Sequence, residues 1–247
     1  MYYDDLIRIL RDAENVVFFG GAGVSTASGI PDFRSASGLY NSGDNKFGLS
    51  PENILDVDFL YGHPREFYEF YRSSMIYPGA GPNEAHYALQ ELEEMGKLKA
   101  IITQNIDGLH QQAGSQEVYE LHGSVAKNYC IKCGKKYSLT HVMDTESVPK
   151  CERCGGMVRP DVVMYGEALP SGEWYKAEEA IANADVLIVG GTSLTVHPAA
   201  SLVNLFEGEH LIIINLSPTP YDGLAEMVIR EPVDEVLRAV VDELKEY

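Results

Sequence analysis

The stretch from 16 to 34 limits the possible folds more than any other part of the chain. An apolar run, Val16-Val17-Phe18-Phe19, reads as a buried strand and stops at Gly20-Gly21-Ala22-Gly23. A strand running into small residues lets the backbone approach a pyrophosphate, with free N–H groups and a helix start facing it. The dinucleotide fingerprint asks for a third glycine, and Thr26 stands in that place. No acidic residue closes a second strand about 20 residues on, where a dehydrogenase would hold its ribose. The segment reads as a dinucleotide turn put to an unusual use, and hydride transfer is disfavoured.

Short β-rich runs alternate with longer helical patterns along the rest of the chain. Strands are predicted at Val16–Phe19, Ala100–Thr103, Val186–Val189 and Leu211–Asn215, with weaker runs at Val118–Leu121 and Met227–Ile229. Helical periodicity fits Tyr2–Ala13, Asn83–Met95, Gly172–Ala182, Pro198–Phe206 and Val233–Glu246. The alternation implies an α/β fold: a doubly wound, mostly parallel Rossmann-like sheet with ligands gathered at the strands' carboxyl ends. Two segments interrupt it. Residues 35–80 read as a loop followed by a helical insertion, and residues 124–158 hold all four cysteines. The sheet domain is thus expected to be discontinuous, over 1–34, 81–123 and 159–247.

Each half of the cysteine cluster is a CxxC pair, Cys130/Cys133 and Cys151/Cys154, with 17 residues between the pairs. That spacing is a zinc ribbon's, and Gly134 and Gly155 follow the pairs as tight knuckle turns require. Four thiolates close a tetrahedron and leave no position for water, so one structural Zn²⁺ is expected and the chemistry must lie elsewhere. The competing reading is a pair of redox dithiols.

With 19 Lys and Arg against 37 Asp and Glu, the formal charge is −18, which argues against direct nucleic-acid binding. It suits basic protein partners, although many soluble proteins are simply acidic. No apolar run approaches the roughly 20 residues of a membrane span. The acidic start MYYDDLIRIL is no signal peptide, and paired cysteines suit a reducing compartment, so a cytoplasmic chain is expected. Nothing in the sequence demands more than a monomer.

Polar residues follow two of the strands. After Thr103 comes Gln104-Asn105-Ile106-Asp107-Gly108-Leu109-His110, and Leu121 is followed by His122-Gly123. Asn, Asp and Gln at a strand's carboxyl end suit sugar hydroxyls and a carboxamide, with Ile106 as an apolar wall. His122 could take a proton near neutral pH, although a lone histidine is more often a hydrogen-bonded structural residue. His110, in helical phase, is expected to pack.

Together, GAGVSTASGIPDFR (21–34), TQNIDGLH (103–110), LHG (121–123), the four cysteines, RPDVVMYGE (159–167), GTSL (191–194) and IIINLSPT (212–219) resemble the sirtuin family of NAD-dependent protein-lysine deacylases. The motifs stand in family order over nearly the whole chain. The resemblance implies that Ala22 and Thr26 bind the pyrophosphate of NAD. Phe33, Arg34, Ile106 and Asp107 would form the nicotinamide pocket, while Gln104 and Asn105 hold the ribose beside it. Thr192, Ser193, Asn215, Leu216 and Val233 would hold the adenosine half. His122 would be the general base, with Asn105 also catalytic.

The chemistry so implied starts with the acyl-lysine oxygen attacking the nicotinamide ribose and nicotinamide leaving. His122 then helps deprotonate a ribose hydroxyl, and water completes free lysine and O-acetyl-ADP-ribose. The 33–50 loop, with Gly38, Gly43 and Gly48, would act as a lid. An acetylated protein segment would lie extended between Val163–Glu167 and Thr195–His197, touching Val163, Gly166, Glu167 and Val196. Core packing is the competing reading for Val162, Val163 and Met164.

Sirtuins that take negatively charged acyl groups carry a Tyr and, three residues on, an Arg. Tyr68 fits the first position, but Tyr71 stands in the second and Arg72 is displaced by about 100° around a helix. Acetyl and other neutral acyl groups are therefore expected over succinyl. Mono-ADP-ribosyl transfer and a non-catalytic NAD-sensing scaffold are the alternative functions.

Overall fold

The computed structural model describes residues 3–32, 38 and 48–246. In chain order its strands are β1 (Val16–Gly20), β2 (Leu98–Thr103), β3 (Val118–Glu120), β4 (Gly123–Cys130), β5 (Lys136–Tyr137), β6 (Val158–Val162), β7 (Val186–Gly190), β8 (His210–Ile214) and β9 (Met227–Ile229). Its α-helices are α1 (Asp4–Asp12), α2 (Pro51–Ile54), α3 (Val57–Gly62), α4 (Pro64–Ser74), α5 (Glu84–Glu94), α6 (Leu109–Ala113), α7 (Leu139–Met143), α8 (Ser171–Ala182) and α9 (Val233–Lys245).

Six strands form one sheet in the order β3-β2-β1-β7-β8-β9, and every pairing in it is parallel. Every residue of β1 and β7 is buried, as a sheet covered on both faces requires. Alternate residues feed two cores. Phe18, Ile101, Ile188 and Ile212 meet α1, α5 and α9 on one face. Val17, Phe19, Ile102, Leu187, Val189 and Ile213 meet α8 and the 199–205 segment on the other. The strand order reverses between β1 and β7, so a crevice opens above Gly20 and Gly190 where the two strands end level.

The second sheet, β5-β4-β6, is antiparallel and carries the cysteines. Its strands overrun the 124–158 insertion at both ends, because β4 begins at Gly123 paired with Val162. Within 35–80, α2, α3 and α4 pack their apolar sides with Val125, Val162 and Met164 into a third core.

The helix read at 198–206 is a 3₁₀ helix over Ala199–Leu205. Ser201 supplies a reason: its N–H and its hydroxyl both bond the Pro198 carbonyl, at 2.9 and 2.6 Å, which favours the tighter turn. Among the described residues, no helix is long and apolar enough to cross a membrane.

Candidate active site

Above the crevice, the loops leaving β1 and β7 interlock. The Gly23 N–H donates to Gly191 O at 2.8 Å, and a Cβ on Gly23 would lie 2.8 Å from Gly191 Cα. Gly191 has φ +59°, and a Cβ there would meet the Val24 nitrogen at 2.5 Å. Both glycines therefore serve loop-to-loop approach, and for Gly23 this differs from the pyrophosphate approach expected of the glycine turn. Ala22 is half-buried on the same turn, and Thr26 is exposed, with its hydroxyl donating to Gly23 O at 3.0 Å. From below, the N-cap of α5 holds the turn: Asn83 Nδ2 donates to Val24 O at 2.8 Å and to Ser28 Oγ at 2.9 Å.

Ser25, which the sequence reading passed over, is the hub of the polar cluster. It is 1% exposed; its hydroxyl donates to Asp107 Oδ2 at 2.7 Å and accepts from Asn105 Nδ2 at 3.1 Å. Asp107 Oδ1 accepts from the Leu109 N–H at 2.9 Å, fixing the carboxyl at the start of α6. Burial pushes the Asp107 carboxyl up, while the Leu109 N–H and the Ser25 hydroxyl oppose that rise. A desolvated carboxyl held in this way suits an amide partner. Gln104 Nε2 donates to Thr192 Oγ1 at 3.0 Å, which ties the ends of β2 and β7 together. Ile106 is half-buried against the third core, and its carbonyl accepts from Val125 N at 3.0 Å.

His122 occupies the corner between the two sheets. Leu121 N still bonds Thr103 O in the parallel sheet, and Gly123 already pairs with Val162 in the antiparallel one. Gly123 has φ +75°, and a Cβ there would fall 2.0 Å from Asp161 O, so only glycine makes this corner. His122 Nδ1 donates to Gln104 O at 2.9 Å, a tautomer that leaves Nε2 free to accept a proton. Burial holds the imidazole below its ordinary range, hence neutral at pH 7, with the Gln104 carbonyl pulling the other way.

The His122 carbonyl accepts from Val163 N at 2.9 Å, linking the histidine to the segment expected to bind peptide. In that segment Tyr165 is spent on α2 and α3: its N–H donates to Leu55 O and its O accepts from Val57 N. Glu167 makes a two-pronged pair with Arg159, at 2.6 and 2.9 Å, and also accepts from Met164 N, so its carboxylate braces the loop. Val162 and Met164 belong to the core, whereas Val163 is half-buried. Among the described residues, Val163 O and both backbone groups of Gly166 remain open on this side. Val196 O accepts from Ala200 N at 2.9 Å, and among the described residues the Val196 N–H has no partner.

At the other end of the crevice, Thr192 is buried, and Ser193 Oγ lies 2.8 Å from Thr195 Oγ1. Asn215 Nδ2 donates to Ser217 O at 2.7 Å, and Leu216 is 66% exposed. The Val233 side chain is in the core beneath Gly190, so only the backbone at the start of α9 can face a ligand there. Phe33, Arg34 and most of the 33–50 loop, Gly43 included, lie outside the described residues. His110 packs, as expected, against Phe18 and His86.

The four cysteine sulfurs lie within 4.8 Å of one another, with Cys130–Cys154 at 3.5 Å and Cys133–Cys151 at 3.6 Å. These are far beyond a disulfide and close to the ~3.8 Å edge of a tetrahedron with 2.3 Å zinc–sulfur bonds. Gly134 N bonds Cys130 O and Gly155 N bonds Cys151 O, so the two knuckles repeat one geometry. Tyr137 Oη donates to Cys151 Sγ at 3.1 Å and accepts from Glu152 N at 2.9 Å, pinning the second knuckle to the strand after the first. The donor set fits a structural zinc ion.

A model of the Sir2 family matches residues 21–198. The chain is 53% identical over 239 residues to a protein of Clostridium acetobutylicum named NAD-dependent protein deacetylase, covering 96% of this chain and 97% of that one. A Clostridium perfringens protein of the same name is 52% identical, with 96% and 97% covered. Among solved structures, Sir2 with a p53 peptide and NAD⁺ matches at TM-score 0.87 and 40% identity over all of both chains. Sir2 bound to an acetylated peptide matches at 0.85 and 39% identity, with 98% of each chain covered. Motifs, sheet order and overall likeness agree, and the chain belongs to the Sir2 family.

Proposed function

We propose that the crevice above β1 and β7 removes acetyl groups from protein lysines with NAD as co-substrate, transferring the acetyl to ADP-ribose. The chain is an NAD-dependent protein deacetylase, and one structural Zn²⁺ belongs to its cysteine ribbon. The observation that carries the site-level reading is the corner at His122. There a neutral imidazole, oriented by the Gln104 carbonyl, sits between the Ser25–Asn105–Asp107 cluster and the segment in which the Val163 carbonyl and the Gly166 backbone are open among the described residues.

Asp107 would hold the carboxamide and Ile106 the nicotinamide face, with Phe33 and Arg34 completing that pocket. Asn105 and Gln104 would hold the ribose. Ala22 and Thr26 serve the pyrophosphate, and Thr192, Ser193, Asn215, Leu216 and the backbone at Val233 the adenosine half. NAD, when bound, supplies the ribose carbon that takes the acyl oxygen. His122 Nε2 accepts the proton of a ribose hydroxyl. The substrate strand pairs with Val163, Gly166 and Val196, and Glu167 keeps that edge in place.

Neutral acyl groups are preferred over succinyl for a physical reason. Arg72 is committed elsewhere, its Nε bonding Val142 O at 2.9 Å and its Nη2 bonding Ser147 O, while the Tyr68 hydroxyl is held by Val158 O. We further assign 1–34, 81–123 and 159–247 to the NAD-binding part, 35–80 to the helical insertion, and a monomeric, cytoplasmic chain. The test is incubation with NAD and an acetyl-lysine peptide, scored for free lysine and O-acetyl-ADP-ribose. ADP-ribose attached to protein instead would favour the transferase reading.

A further inference from the structure

The edge offered to the substrate carries a carboxylate that the fold only half uses. Asp56 caps α3, its Oδ1 accepting from Asp58 N at 2.8 Å. The backbone bridge between 55–57 and Tyr165 holds that cap alongside the 163–167 segment. Gly166, with φ +86° and no side chain, leaves the space open. A Cβ there would lie 3.2 Å from Val57 Cγ1 and 3.8 Å from Asp56 Oδ2. Among the described residues, Oδ2 has no partner. Arg159, the cation in the same stretch, is taken up by Glu167, so nothing in the stretch balances Asp56. The chain's formal charge of −18 adds a field of the same sign.

We propose that Asp56 is a specificity-determining residue that favours substrates with a lysine or arginine side chain close to the acetylated lysine. The inference rests on the placement of the substrate strand along Gly166. A carboxylate at a half-exposed rim gives only a modest preference, roughly two- to five-fold, and that preference weakens as salt screens it.

Asp56→Asn removes the charge but keeps a side-chain oxygen able to cap α3, and Asp56→Ser does the same with a hydroxyl. The experiment measures kcat/KM for acetyl-lysine peptides flanked by alanine, with one arginine walked from two residues before the acetyl-lysine to two after. In the wild type, arginine at one or more positions should raise kcat/KM roughly two- to five-fold, mainly through KM, and the gain should shrink at about 0.5 M salt. Both variants should lose it. The inference is overturned if no position shows a gain, or if the gain persists in Asp56→Asn and Asp56→Ser. Failure of the wild type to deacetylate any peptide overturns the deacetylase reading, and this inference with it.

Discussion

His86 on α5 and His110 on α6 face each other inside the core, 0% and 1% exposed, with ring centroids 4.7 Å apart. His86 Nδ1 accepts from Asn83 N at 3.2 Å, which leaves its protonated Nε2 without a partner, and neither ring nitrogen of His110 has one. Burial therefore lowers the His86 pKa from 6.5 to about 4, and that of His110 well below its ordinary value. The unfolded chain takes up these protons near pH 6.5 while the folded chain refuses them. Stability is thus complete above that pH and falls as the pH drops toward 4. For His86 alone, the linkage gives a loss of about 2 kcal/mol between pH 7.5 and pH 5. His110 adds to it in the same direction, against a total stability of roughly 5–15 kcal/mol for a folded domain.

His86→Gln isolates this contribution, because a glutamine at the third helical position can still accept from the Asn83 N–H. Urea unfolding at pH 7.5 and pH 5 should show the variant losing about 2 kcal/mol less than the wild type. Carboxylate titration is common to both proteins and cancels. Equal losses would show that the buried pair does not govern acid stability. Since α6 starts two residues after Asp107, the weakening should reach the Ser25–Asn105–Asp107 cluster as well.

Replacing His122 with Ala should cut deacetylation by about 10²–10⁴-fold while calorimetry still shows NAD binding; loss of binding in the same proportion would demote it from base to scaffold. Gly191→Ala puts a Cβ 2.5 Å from Val24 N at a positive φ, so unfolding should show a loss of about 2–4 kcal/mol together with weaker NAD binding. An unchanged melting temperature would refute the interlocked loops. Tyr137→Phe removes the hydrogen bond to Cys151 and should speed zinc loss to a chelator about ten-fold, whereas an unaltered rate would show the contact to be idle.

The parallel strands were readable because β1 and β7 are buried throughout, and such strands appear in sequence as unbroken apolar runs. Their ends were off by one or two residues: β2 already starts at Leu98, which pairs with Val16 ahead of an irregularity at Lys99 that no local pattern announces. The cysteine knuckles were legible because each is local, a CxxC followed by glycine. Ser25 was not: its partner Asp107 is 82 positions away, and a serine beside a glycine turn has no spacing rule. The same limit hid the Gly23–Gly191 contact, whereas Glu167 and Arg159 are only 8 positions apart and their pairing depends on how the 163–167 loop folds back on β6. His122 was legible as a residue type after a strand, but the corner that orients it depends on Gly123 meeting Asp161 on the neighbouring strand of the second sheet, 38 positions on.

The central claim is that one cleft couples cleavage of NAD to an acylated lysine. Nicotinamide release by the wild-type protein, measured with and without an acetyl-lysine peptide, tests it most directly. The account predicts release only with the peptide, one nicotinamide for each lysine freed. Release at the same rate without peptide, or with no lysine freed, would contradict it.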